Sequence, residues 1–406
     1  MKIEKIRNLR PFRSMFEKDI NGRKVDVFLI EGSVPCSSAF YPDFLFYTDS
    51  ENIVNPIDEK IMSLDFERNR SHVNFNFDSV SENPMFYFIY NTDNYYHFVY
   101  DTLPYLISYK SLKKEIPNLK LLMSYPNFSK SEFYRFVEEF LEICGISKDE
   151  IEIVSMGTKY SKVYISESFT HGIDSNLPPR SEIYDFFHEI SEYVKSTSKK
   201  RDFPKKVYIS RRSWVHGDTS NIGTNYTDRR KMESEDKLVD ILEKRGYKEI
   251  FTETMSTFDK IALFIQLEEA IGAIGGGLCN VLFSGSNCRL VSICSPVFLE
   301  INSRFKFCFD RVDTEYFEGT FHLETGEWKK WMRVKSFDII GEVEEVLDNH
   351  LLVMYTDSDL AGWNSDIEYK KKLMRKEECT AIDKGLNSKW DMNFSEFEDI
   401  ISRSER

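Results

Sequence analysis

Residues 247–295 read YKEIFTETMSTFDKIALFIQLEEAIGAIGGGLCNVLFSGSNCRLVSICS, and their pattern decides the fold class. Short apolar runs bounded by turn residues predict strands over 247–251, 270–274 and 289–293. Between the first two, apolar Phe258, Ile261, Ala262, Phe264 and Ile265 predict a helix over 256–268. Gly275, Gly276 and Gly277 then lead into a short helix over 278–283. Strand, helix, strand, loop, helix and strand in that order make half of a doubly wound α/β domain. Ligands of such sheets sit beyond the carboxyl ends of the strands, so the three glycines occupy a ligand position.

A tight turn off a buried strand calls for positive φ and close backbone approach, which glycine alone adopts without steric cost. The helix that follows offers unpaired N–H groups and partial positive charge, so a phosphate or diphosphate is the natural guest. The alternative is that the glycines only let strand and helix pack closely. A dinucleotide fingerprint does not fit, because the next strand ends in Ser292, Ile293, Cys294 and Ser295, without the acidic residue that holds a ribose.

Working outward, 406 residues suffice for two domains with separate cores. A net charge of -13 argues against general nucleic-acid binding. The seven cysteines form no CxxC pair, so neither a disulfide framework nor a metal site is expected. The first twenty residues are charged and unlike a signal peptide, and no apolar run of about 18 residues occurs. Together these predict a cytoplasmic protein.

Upstream, MFYFIYNTDNYYHFVYDTLPYLISYKSL (85–112) predicts a buried strand over 85–90, a polar turn and a helix over 95–110, interrupted or started late by Pro104. His97 and Asp101 are four residues apart, on one helical face near the end of that strand. They read as an acid/base pair, or as a locally satisfied polar cluster. Further strands are expected over 118–125, 151–155 and 162–166, with helices over 131–144 and 181–195. His171, on the Thr170–Arg180 loop, reads as a cleft residue or an exposed structural histidine. Ser196–Lys206, charged and broken by a proline, is the expected linker.

After a strand over 207–210, Arg211 and Arg212 stand where a guanidinium fork can grip phosphate. Arg229 and Arg230 precede a helix over 235–245, basic residues set locally against the global charge. Glu253 can accept hydrogen bonds from a ribose or sugar, or favour a helix N-terminus. Beyond 295, β segments are expected over 308–317 and 322–334, with helices over 336–350 and 393–402. Tyr369–Lys376 (YKKKLMRK) reads either as a solvated helix face or as a peripheral contact with anionic lipid.

NxxHFxxDxLPxL at Asn94–Leu106, SRR at 210–212, the RKMxSE stretch at 230–235, ETMS at 253–256 and GAIGGGLCNVLF at 272–283 occur in this order. Together they resemble glycosyltransferase family 61. The resemblance implies GT-B architecture: two Rossmann-like α/β domains facing across a cleft. It places an acceptor-side domain at 1–195, a linker at 196–206, a nucleotide-sugar-binding domain at 207–345, and a C-terminal helical tail at 346–406 packing back on the first domain. It implies inverting, metal-independent sugar transfer, without a cofactor, from a nucleotide-sugar donor, UDP-linked by expectation, to a hydroxyl of a glycan or glycolipid in surface-polysaccharide synthesis. His97 and Asp101 match the family's HxxxD, Arg211 or Arg212 its post-strand arginine, and Glu235 its helix-start acid. Glu253 matches the ExMS acid, and Gly275, Gly277 and Asn280 the glycine loop. The family's loop histidine, however, falls on Ile274, and Ser234 replaces an asparagine.

The chemistry then assigns His97 or Asp101 as base, and Arg211, Arg212, Arg230 and the amides around Gly276 and Gly277 as leaving-group stabilisers, with Asn94 and Glu235 in support. Two other readings share these residues: a nucleotide- or glycan-binding scaffold without catalysis, and a transferase resembling the polysaccharide pyruvyl transferases.

Overall fold

A computed structural model describes residues 27–36, 45–47, 53–54, 79–88, 92, 94–125, 131–155, 158–166, 168–170, 178–197, 202–212, 232–295, 303–319, 321–322, 328–335, 350–355, 379–381 and 390–404. The chain divides into two compact units. The first takes in 1–199 with 220–224 and 256–262, and the second 200–219, 225–255 and 263–406.

The first unit is built on a sheet of β1 (Val27–Cys36), β2 (Leu45–Tyr47), β3 (Ile53–Val54), β4 (Ser79–Tyr87), β5 (Lys120–Met123), β6 (Ile151–Ile153) and β7 (Thr158–Ser166), in the order β3-β2-β1-β7-β4-β5-β6. β7, β4, β5 and β6 run parallel, and β1 joins β7 antiparallel. Only the last residues of β4 are buried, Pro84 through Tyr87, the continuous apolar run that a parallel strand covered on both faces requires. Among the helices, α1 (Tyr95–His97) and α2 (Tyr105–Glu115) follow β4, while α3 (Arg135–Ile143) and α4 (Glu182–Thr197) come later. Helix α3 buries Phe136, Val137, Phe140 and Leu141 and turns Glu138 and Glu142 outward. Its end is set by Gly145 at φ 76°, with Ile146 N–H bonded back to Leu141 O at 2.9 Å.

In the second unit β8 (Lys206–Ile209), β9 (Lys248–Ile250), β10 (Glu269–Ala273), β11 (Arg289–Cys294) and β12 (Asp313–Glu318) form an all-parallel sheet in the order β12-β11-β10-β8-β9. Counted from the first strand of the unit this is 2-1-3-4-5, a doubly wound order whose direction reverses between β8 and β10. Helices α5 (Glu235–Lys244) and α6 (Thr257–Gln266) connect its strands. Close approach explains Gly272: a Cβ there would stand 3.0 Å from Ile209 Cβ and 3.1 Å from Ile209 O on the neighbouring strand.

The short helix expected over 278–283 is present with those bounds, as a 3-10 helix, Leu278–Phe283. Other expectations change. Residues 303–309 are also 3-10, so the β segment expected from 308 begins only at Asp313. The tail at 346–406 is not all helical: β15 (His350–Tyr355) pairs with β14 (Trp328–Lys335) and β16 (Cys379–Ala381), and β13 (Phe321–His322) completes that antiparallel sheet. Its final helix, α7 (Phe394–Ser404), was expected on the first domain; instead its Phe397 and Ile401 enter the second unit's core beside Tyr208, Leu242, Ile293 and Phe317. The i, i+4 spacing of that apolar pair fits the surface left between α5 and the parallel sheet. Residues 336–349 of the helix expected over 336–350, and the YKKKLMRK patch, lie outside the described residues, while His350 opens β15. Among the described residues no helix is long and apolar enough to cross a membrane.

Candidate active site

In the first unit the site grows from one helical irregularity. Asn94 caps α1, its Oδ1 accepting from His97 N–H at 3.3 Å. The chain then widens into a π-helix over Phe98–Thr102, closed by Leu103 N–H on Phe98 O at 2.8 Å. Pro104 has no N–H to continue an i to i-4 ladder, and the wider turn absorbs that loss. The helix expected over 95–110, interrupted or started late by Pro104, is instead divided into α1, the π-helix and α2, with the acid/base pair at the division.

His97 Nδ1 lies 2.8 Å from Asp101 Oδ2, and Asp101 Oδ1 accepts from Thr170 Oγ1 at 2.7 Å. Asp101 is 1% exposed and Thr170 1%, whereas the His97 side chain is one-third exposed. A buried carboxylate held on both oxygens fixes the imidazole, and the Nδ1 proton it accepts leaves Nε2 as the basic nitrogen. In this arrangement the exposed imidazole of His97 is the member of the pair open to a substrate, and Asp101 is buried against it. Sequence reading overlooked Thr170, because a hydroxyl 69 positions along the chain gives no spacing signal. His171, its neighbour, lies outside the described residues. A groove of about 710 Å³ runs along the face of α3 that bears Arg135, Glu138, Glu139 and Glu142, and none of the candidate residues lines it.

In the second unit the residues gather at the switch in strand order. Arg211 follows β8 and the glycine loop follows β10, the two strands between which the order reverses. Glu235, 6% exposed, puts Oε1 on Tyr208 Oη at 2.7 Å, on Ser210 Oγ at 3.2 Å and on the Arg211 amide at 3.0 Å. Burial pulls the Arg211 guanidinium below its ordinary value, against the opposing fields of Glu235, Tyr208 and Glu253. Burial, reinforced by Glu235, likewise raises the Tyr208 phenol. Glu253 carries a buried Oε1 with no hydrogen-bond partner, a strong acceptor held ready for a donor.

Two expectations about this unit are corrected. Arg212 has its fork committed: Nε and Nη2 bind Glu249 at 2.6 and 2.7 Å and Nη1 binds Asp236. These pairings raise Arg212, and they hold Glu249 below its ordinary value although burial pushes it up. Arg212 is a structural clamp on β9 and α5, and of the two arginines Arg211 is the phosphate candidate. The glycines, for their part, do not use the left-handed region: Gly277 has φ -62° and ψ -42°, and the positive-φ glycines among the described residues are Gly145 and Gly246. Gly277 is small because a Cβ would stand 2.8 Å from Thr252 Oγ1, beside Glu253. Asn280, fully buried, turns its Nδ2 back to Gly277 O at 2.8 Å and shapes the loop. A six-residue 3-10 helix adds little dipole, so positive charge at this point rests on the loop amides and Arg211. Arg230 lies outside the described residues. Among the described residues no three His, Cys, Asp or Glu side chains group as metal ligands do.

No curated protein matches the chain. The family model Glycosyltransferase 61 matches residues 95–291, a span that begins two residues before His97 and contains Asp101, Thr170, Arg211, Glu235, Glu253 and the glycine loop. Through that span the chain belongs to glycosyltransferase family 61.

Proposed function

We propose that this glycosyltransferase is a GT-B enzyme that moves a sugar with inversion, without a metal ion, from a nucleotide donor to a hydroxyl of a glycan or glycolipid acceptor. His97 Nε2 removes the acceptor proton, and Asp101 stabilises the imidazolium that forms. Arg211 and the amides around Gly276 and Gly277 take up charge on the departing diphosphate, while Glu253 accepts from a donor hydroxyl. Displacement at an anomeric carbon needs a base for the incoming oxygen and stabilisation of the leaving one, and those two demands fall on the first and second unit respectively. Synthesis of a surface polysaccharide in the cytoplasm, with UDP as carrier, is the setting we propose.

The observation that carries the reading is the fully buried Asp101 carboxylate divided between His97 at 2.8 Å and Thr170 at 2.7 Å. A polar cluster that only satisfied itself would gain nothing from leaving the imidazole one-third exposed. The test is turnover of UDP-, GDP- and CMP-sugars, with the anomeric product read by NMR. Transfer with inversion, unchanged by EDTA and reduced ~10²- to 10⁴-fold in His97→Ala, is expected. Loss of turnover on chelation, restored by magnesium, would defeat the metal-free scheme. Binding of donors with no turnover, indifferent to His97→Ala, would mark a scaffold.

A further inference from the structure

The region matched to the family ends at residue 291, yet a segment almost a hundred residues later closes on the groups assigned here to the donor diphosphate. Trp390, 1% exposed, pairs with Met232 in a parallel bridge and accepts from Glu233 N–H at 2.8 Å. Asp391 Oδ2 accepts from Ser234 Oγ at 2.5 Å, while its Oδ1 accepts from Met392 N–H at 2.9 Å. The indole is seated on Gly319, where an added Cβ would stand 2.2 Å from its ring. It also walls a small chamber together with Arg211, Glu235 and Tyr208. Helix α7 anchors the segment through Phe397 and Ile401, both 0% exposed, and through Arg245 on Ser402 Oγ at 3.2 Å.

The three residues so gripped, 232–234, are those that immediately precede Glu235. Glu235 in turn holds the Arg211 amide, the Ser210 hydroxyl and the end of β8 on a single oxygen. Resting on the donor reading above, we infer that Trp390 and Asp391 are positioning residues of the diphosphate site, acting on Arg211 through Glu235, so that the C-terminal segment is part of the donor-binding apparatus. A segment needed only for stability would have no reason to wall the chamber next to the guanidinium. It would be expected to pack on α5 and the sheet alone.

The test is a double-mutant cycle in the full chain, with calorimetric titration of UDP, GDP and CMP. Trp390→Phe and, separately, the gentler Ser234→Ala are combined with Arg211→Lys, which keeps the charge and loses the fork. Thermal unfolding of each variant shows that it is folded. Both single variants should weaken the nucleotide that the parent binds by about tenfold, the amount one well-placed hydrogen bond controls. In the Arg211→Lys background most of that loss should vanish, since the lost geometry no longer has a fork to orient. A purely structural role would shift the unfolding temperature and leave the losses additive. Parent-like affinity in both single variants, full additivity, or an Arg211→Lys variant that binds like the parent overturns the inference. If the parent itself binds none of the three nucleotides, the donor reading falls, and this inference falls with it.

Discussion

Asp101→Asn replaces one oxygen by NH2 and removes a buried charge without changing size, so it isolates what the carboxylate does. The asparagine has two ways to sit. With its oxygen on His97 Nδ1 the imidazole keeps its tautomer, but the imidazolium formed on proton transfer loses an anion whose hydrogen-bond distance is 2.8 Å. Opposite charges roughly 4 Å apart, at the effective dielectric of a partly exposed site, interact by about 4 kcal/mol, which corresponds to ~10³ in rate. With its NH2 on Nδ1 the proton moves to Nε2, and the base is lost altogether. Either outcome lowers kcat by ~10²- to 10⁴-fold. The donor KM should stay within about twofold, because Asp101 is buried behind His97. Thr170→Val, which removes the 2.7 Å bond and keeps the shape, should cost about 1.5 kcal/mol of the same barrier, roughly tenfold. Initial rates over a donor series, with circular dichroism to show an intact fold, measure both. An Asp101→Asn enzyme that keeps half its kcat, or one that loses donor affinity in proportion, would refute the reasoning.

Arg212→Gln should lower stability in urea by about 1.5–3 kcal/mol, because it breaks a two-pronged bond to Glu249, and should leave nucleotide affinity unchanged; weakened nucleotide binding in a folded variant would restore Arg212 to the site. Glu249 is held below its ordinary value of 4.5, so its contribution is full above that value and is lost as pH falls through the lower folded one. Glu249→Gln should therefore flatten the fall in urea midpoint below about pH 4.5, and an unchanged acid limb would contradict it. Gly272→Ala should destabilise by about 1–3 kcal/mol, since its methyl meets Ile209 Cβ and backbone O at 3.0 and 3.1 Å, and differential scanning calorimetry reads the loss. Cys144, Cys279, Cys288, Cys294 and Cys308 are buried, with burial pushing the Cys144 thiol up to about 12 and Cys288 up to about 11. Native protein at pH 8 should therefore expose at most two rapidly reacting thiols to a disulfide reagent until it is unfolded.

The parallel sheet of the second unit was legible because each strand is a short apolar run flanked by turn residues, and because alternation of strands with helices leaves few topologies. Its helix α5, expected over 235–245, runs Glu235–Lys244, and β11, expected over 289–293, runs Arg289–Cys294. What stayed hidden were properties set across the chain. That Arg212 is bound by Glu249 and Asp236 could not be read from spacing, which does not place those carboxylates beside it. The glycines illustrate the same limit. Local reasoning linked Gly277 to positive φ, whereas the constraint is Thr252 pressing from another element. A glycine permits close approach and left-handed backbone alike, and only the neighbour tells which is used.

Pro104 shows a third kind of limit, in which the residue was noticed and its consequence was not. A proline three residues past Asp101 reads as a kink or a late start, either of which would damage a helix that must hold a pair at i, i+4. The chain instead spends the missing N–H on a π-turn over Phe98–Thr102, and the pair still meets at 2.8 Å. The wider turn carries Asp101 within 2.7 Å of Thr170, so the carboxylate acquires the second partner that fixes it. Pro104→Ala restores the donor and lets the segment relax toward a regular helix, which rotates Asp101 by part of a turn relative to Thr170. The prediction is a variant of equal or greater thermal stability with kcat reduced about tenfold or more, the stability gained at the expense of the pairing. A Pro104→Ala enzyme that is both more stable and fully active would show that the π-turn is incidental to the site.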